Sequence, residues 1–236
     1  MSENIKDSKK AWFPMGKKEK RMLLDPLNDN NPVTVQVLGI CSALAVTSML
    51  LPSIVMAIAV IFVVAMSNLT ISLMRNYIPK QVRMIVQLVI IAFLVTIVEL
   101  TLKAYSFDVY KQLSVFIGLI ITNCIVMGRL EAFAMANKPW QSFLDGVGNG
   151  LGYGVILIII SFFRELFGRG TLFSGSPLEM KIIGAGSDFW IDTTTNSFFG
   201  WYTNNNLMVL PAAAIFIMGL IIWYQRSKNE KLVDIS

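Results

Sequence analysis

Cys41 and Cys124 are the only two cysteines in the chain, and each lies inside an apolar run long enough to cross a bilayer. Cys41 sits in Val-Leu-Gly-Ile-Cys-Ser-Ala-Leu, two residues after Gly39, and Cys124 sits in Leu-Ile-Ile-Thr-Asn-Cys-Ile-Val-Met-Gly, directly after Thr122-Asn123. A glycine or a Thr-Asn pair marks a break in a hydrophobic helix, so each sulfur lies beside backbone that need not be helical. Three roles are open to such thiols. They can be small buried hydrophobes, as free cysteine often is. They can form a disulfide, although the bilayer interior gives poor access to oxidants. They can be soft ligands for a metal such as iron.

The rest of the composition narrows the chemistry. The chain has no histidine, which excludes His-based metal sites and the usual haem ligation, and leaves no unperturbed side chain titrating near neutrality. No helix carries a paired-carboxylate arrangement and no Cys/His dyad is possible, so soluble hydrolase or transferase chemistry lacks residues. Iron–sulfur clusters take four thiolates. Two are present, so a second chain would have to supply the others.

The elements that must position these cysteines are membrane helices. Of 236 residues, 55% are hydrophobic and 15% charged, with a mean hydropathy of +0.62, which is a membrane composition. Apolar runs predict an all-α protein with six spans: Val33–Pro52, Ile54–Met74, Met84–Leu102, Leu113–Met127, Leu144–Phe163 and Leu207–Tyr224. Counting inward at 1.5 Å per residue puts Cys41 roughly 12 Å and Cys124 roughly 16 Å into a ~30 Å hydrocarbon core. One descends from each side, because each opens a group of three spans, and odd groups run in opposite senses. Two inverted three-helix repeats with broken first and fourth helices is the arrangement known from transporters. The expected organisation is a basic tail over residues 1–31, a membrane domain over 32–224 and a tail over 225–236. Its repeats cover about 32–103 and 111–224, with an outer loop at about 164–206.

Charge sets the orientation. With both ends cytoplasmic, fifteen of the 20 Lys and Arg fall on the inner side, leaving Lys103, Lys111, Arg164, Arg169 and Lys181 outside. This is a positive-inside bias, not a nucleic-acid footprint. The first 31 residues alternate Lys with Glu and Asp and carry no signal-peptide apolar core. Trp12, Phe13, Met22 and Leu23 suit an anionic membrane surface.

Polar positions within the spans read as structural. Gly146, Gly150 and Gly154 share one helix face, a small-xxx-small spacing that permits close helix approach; Gly148 and Gly152 make a second face. Glu99 lies near the outer end of the third span, where a solvated or ion-paired role is expected, and Arg129 and Glu131 fall past the fourth as a candidate interfacial pair.

Several stretches also resemble a known family. Gly39-Ile-Cys41-Ser-Ala-Leu-Ala-Val-Thr, Ser67-Asn-Leu-Thr-Ile-Ser-Leu-Met-Arg-Asn and Ile120-Ile-Thr-Asn-Cys124-Ile-Val-Met-Gly-Arg are three of them. Asp145-Gly-Val-Gly-Asn-Gly-Leu-Gly-Tyr-Gly and Phe163-Arg-Glu-Leu-Phe-Gly-Arg-Gly-Thr-Leu-Phe are two more. They resemble the paired membrane subunits of sodium-translocating NADH:quinone oxidoreductase (Nqr) and of the related Rnf complex, and the glycine ladder after Asp145 looks like Nqr. The match runs from about Leu24 to Tyr224, and departs in the long basic N-terminus and around Ile183–Phe199. The resemblance implies a bacterial inner-membrane subunit with both termini cytoplasmic, active only within a redox-driven sodium translocase. It implies a homologous partner of opposite topology, the E-type subunit, and a [2Fe–2S] cluster between the two with Cys41 and Cys124 as this chain's ligands. Subunits A, B, C and F, with FAD, FMN, riboflavin and quinone, would complete the complex. The cluster would relay electrons across the membrane from a soluble NADH-oxidising subunit that has its own peripheral iron–sulfur centre. A rival class, an inverted-repeat transporter or channel without a redox cofactor, explains the topology but not the two cysteines.

Overall fold

A computed structural model of the protein describes residues 23–27, 31–79, 81–105, 107–169, 171–172, 180–181, 183–184, 191–192 and 209–228. Most of the basic tail, the greater part of the expected outer loop and the last eight residues lie outside the described residues.

Among the described residues seven α-helices follow in chain order: α1 Ile40–Val46, α2 Leu50–Met74, α3 Arg83–Tyr105, α4 Phe107–Ile121, α5 Cys124–Arg129, α6 Pro139–Arg169 and α7 Pro211–Lys228. A 3-10 turn, Asp25–Leu27, precedes them, and α5 passes directly into a π-helical turn, Leu130–Ala134. Beyond α6 the described residues include four two-residue strands. β1 (Thr171–Leu172) pairs antiparallel with β2 (Met180–Lys181), Thr171 opposite Lys181, and β3 (Ile183–Gly184) pairs parallel with β4 (Ile191–Asp192). The helical expectation holds apart from these.

The most extensive contact in the molecule joins α2 and α6, and glycine makes it. A Cβ on Gly146 would lie 2.9 Å from the Ala65 Cα, one on Gly150 2.9 Å from the Ile61 Cα, and one on Gly154 3.1 Å from the Ala57 Cβ. As α6 ascends from 146 to 154, α2 descends from 65 to 57, so the two helices run antiparallel with their backbones in contact. Lipid tails are as apolar as leucine, so close packing and internal hydrogen bonds, not burial from water, hold such helices together. Asn68 Nδ2 donates to the Ser142 carbonyl at 3.1 Å and Ser53 Oγ to Ser161 Oγ at 3.0 Å across the same seam. Around it lie Met56, Val60, Val63, Tyr153, Leu157 and Ile160, all buried.

Four segments among the described residues are long and apolar enough to cross a membrane: Leu50–Met74, Arg83–Tyr105, Ser114–Ala134 and Pro139–Gly168. Three expected boundaries are corrected. Residues 33–39 are not helical, because Val37 and Gly39 hold φ of 57° and 77° and the Asn31 side chain accepts from the Val33 and Thr34 N–H groups, building a turn. The expected first span is therefore a turn, the seven-residue α1 and the first residues of α2, and a helical rise from Val33 does not measure the depth of Cys41. The fifth span does not end at Phe163: α6 continues six residues further and carries Arg164 and Glu165 in its buried face. The last expected span, Leu207–Tyr224, is represented by α7, 18 residues from Pro211 and ending in Gln225-Arg226-Ser227-Lys228.

Candidate metal centre

Cys41 is the second residue of α1, and Gly39 sets where that helix begins. Gly39 stands in the left-handed region, and a Cβ there would lie 2.6 Å from Ile125 Cδ1 and 3.2 Å from the Tyr153 ring. Both the dihedral and the space call for glycine. The start of α1 is thereby pressed against α5 and α6. Ser42 and Ala43 face inward and are buried, while Cys41 is exposed.

Cys124 repeats the pattern. The break expected at Thr122-Asn123 is present: α4 stops at Ile121, and Asn123 adopts an extended backbone (φ −69°, ψ 122°) and caps α5 by accepting from the Ile125 N–H at 3.2 Å. Ile125 and Val126 anchor the new helix in the core, while Cys124, its first residue, is exposed. Each sulfur-bearing residue thus lies in the first turn of a short helix, and the residues that follow it are buried.

The two breaks meet. Gly39, Cys41, Ser42, Leu119, Thr122, Asn123 and Cys124 line one pocket of about 190 Å³. Behind it, Ser42 Oγ lies 3.0 Å from the Gly39 carbonyl and 2.6 Å from the Tyr153 hydroxyl, and receives Asn123 Nδ2 at 3.2 Å. Both cysteines are free and exposed, so the pocket carries a pair of thiols.

An iron–sulfur centre fits this pocket as half of a site. Cluster ligation wants four thiolates, and among the described residues no group of three or more His, Cys, Asp or Glu is placed to hold a metal. A closed site within the described residues is therefore not available. The two exposed thiols on this pocket supply two of the four.

The other polar positions are structural. Arg129 does not pair with Glu131: it makes a two-pronged bridge to Asp145, at 2.6 and 3.2 Å, and Asp145 also accepts from Asn149. Glu131 faces Arg83 and Gln87 on α3. Glu99 accepts from the Tyr110 hydroxyl at 3.1 Å, and that hydrogen bond raises the phenol above its ordinary range. The glycine face predicted for close packing is used within this chain, against α2, and is not free for a partner. Two features were not anticipated. Arg164, fully buried, donates to the Leu44 carbonyl and Thr47 Oγ1 at the end of α1 and to the Val209 and Leu210 carbonyls before α7, while Glu165 accepts from the Leu50 N–H at the start of α2. Tyr153, a lone aromatic among glycines, reaches the cysteine pocket from behind; its position in the ladder is the only sequence mark it carries.

Comparison with known proteins places these features in a family. Residues 20–222 match the model of the Rnf-Nqr subunit, a membrane protein. The chain is 55% identical over 215 residues to a protein of Psychromonas ingrahamii, covering 91% of this chain and 95% of that one. It is 56% identical over 218 residues to proteins of Proteus mirabilis and Serratia proteamaculans, covering 92% of this chain and 97% of each. All three carry the name of the D-type subunit of Na(+)-translocating NADH-quinone reductase.

Proposed function

The chain belongs to the Rnf-Nqr family of membrane subunits, and from that premise we propose that it serves as the D-type subunit of a Na⁺-translocating NADH-quinone reductase, holding half of an iron–sulfur centre in the membrane. The observation that carries the reading is the pair of free, exposed thiols on one pocket, Cys41 and Cys124. Two thiols at neighbouring helix breaks on one pocket are the soft ligands such a centre needs, and this placement supports the reading.

In this reading Cys41 and Cys124 are two ligands of a [2Fe–2S] cluster, and a homologous subunit of opposite topology supplies the other two. The cluster, when bound, supplies one-electron transfer between donors and acceptors on other subunits. This chain's own residues hold the sulfurs: Gly39 and Asn123 start the two short helices, and Ile125, Ser42 and Ala43 anchor them. The antiparallel α2–α6 core, with a broken short helix before each, supports two inverted repeats, and the charge bias supports cytoplasmic termini in a bacterial inner membrane. The chain is a component of an oxidoreductase complex and not a catalyst by itself. FAD, FMN, riboflavin and quinone belong to the neighbouring subunits of the A, B, C, E and F types.

The test is substitution within the assembled complex. Cys41→Ser and Cys124→Ser should each remove one iron–sulfur EPR signal and leave the peripheral centre unchanged. Retention of every iron–sulfur signal in both variants, with full quinone reductase activity, contradicts the assignment.

A further inference from the structure

We infer that Ser42, Asn123 and Tyr153 form a positioning hub that fixes the two thiols relative to one another; the inference rests on the shared-centre reading above. Ser42 follows Cys41 and Asn123 precedes Cys124, so each is the covalent neighbour of a sulfur-bearing residue. Tyr153 comes from α6, more than a hundred residues from Ser42. All three are buried, at 4%, 3% and 0% exposure, while the cysteines beside them face outward.

Counting donors and acceptors gives the hub one arrangement. The Gly39 carbonyl can only accept, so the single Ser42 proton goes to it at 3.0 Å. The Asn123 amide donates to Ser42 Oγ at 3.2 Å. With its own proton committed, Ser42 takes its short 2.6 Å contact with Tyr153 as acceptor, and the phenol donates. The serine oxygen then gives one bond and receives two, its full capacity. On the other side Asn123 Oδ1 accepts from the Ile125 N–H. The network leaves no slack between the turn that starts α1 and the turn that starts α5.

The mechanical consequence follows from that closure. The backbone that carries each cysteine is tied on its inner side to the same serine oxygen, so shifting one helix start against the other requires breaking a buried hydrogen bond. In a low-dielectric interior such bonds are strong and costly to leave unmade. Tyr153 supplies the anchor: it lies between Gly150 and Gly154, whose contacts with Ile61 and Ala57 lock α6 on α2. Groups that orient the ligands of a metal centre tune its properties without touching the metal. Ser42, Asn123 and Tyr153 are positioning residues in this sense.

The experiment uses the assembled complex with Tyr153→Phe and Ser42→Ala, and Cys41→Ser as the control. Iron content, EPR g values and linewidth, and the midpoint potential of the centre are measured. Tyr153→Phe keeps the ring against Gly39 and removes one hydrogen bond; Ser42→Ala removes all three. Both should retain iron but show shifted g values, broader lines and a displaced potential, more so for Ser42→Ala. A purely structural role would lower thermal stability and leave the spectrum and potential of the folded complex unchanged. If Cys41→Ser abolishes the centre while both hub variants keep wild-type spectrum and potential, the hub is wrong and the centre stands. If Cys41→Ser leaves the centre in place, the shared-centre reading fails and takes the hub with it. Should Ser42→Ala not assemble, Tyr153→Phe decides alone.

Discussion

Gly39 and Gly118 separate two uses of the same residue in one protein. Gly39 holds φ 77° with Ile125 and Tyr153 against the place a side chain would take, whereas a Cβ on Gly118 would meet nothing within 4 Å. Left-handed backbone costs an L-residue about 1–2 kcal/mol and the added methyl would also press on Ile125, so Gly39→Ala should destabilise by more than that amount and lower the melting temperature of the purified subunit. Gly118→Ala, in the last turn of α4, should be neutral or stabilise by up to ~1 kcal/mol, since alanine is the better helix former. A thermal melt of both variants checks the contrast; equal effects would show that the turn at Gly39 is not under conformational constraint. At this scale the sequence was readable where a residue announces a local demand. Cys41, Cys124, Gly39 and Asn123 each lie beside a visible break. Tyr153 was not readable, because its partner Ser42 is brought to it only by folding across a sequence separation of 111.

The helices were legible by their apolar runs, and their ends less so. Arg164 and Glu165 look like the polar end of a span, yet both are buried. Their partners, Thr47, the Leu44 carbonyl and the Leu50 N–H, come from more than a hundred residues earlier. A charge can stay inside a helix bundle when such partners exist, and no local pattern reveals them. The stretch 33–39 was misread in the opposite direction: it is apolar, but positive φ at Val37 and Gly39 forbids a helix. The α2–α6 seam was legible as a glycine face, though not the helix it would meet. Its geometry gives a graded prediction. At Gly146 and Gly150 an added methyl meets backbone at 2.9 Å, so the helices must move apart, whereas at Gly154 it meets the Ala57 methyl at 3.1 Å. Gly146→Ala and Gly150→Ala should therefore cost on the order of 1–3 kcal/mol, and Gly154→Ala clearly less. Melting of the three variants in detergent should reproduce that order, and a flat series would mean the seam does not depend on backbone contact.

At the scale of the whole molecule, the exposed Cys41 and Cys124 line one pocket, and among the described residues no group of three or more His, Cys, Asp or Glu is placed to hold a metal. The α3 helix likewise turns Met84, Ile85, Val89 and Phe93 outward, as a helix facing lipid or another subunit does. The sequence offered two cysteines as candidate ligands through their count, and the fold supplies what the count could not, that both line the same pocket. The most direct test expresses this chain alone and together with its homologous partner, and measures iron and acid-labile sulfide in each purified product. The account predicts about two iron atoms per pair, and none stably bound to the chain alone. A full complement of iron on the isolated chain would contradict the shared centre.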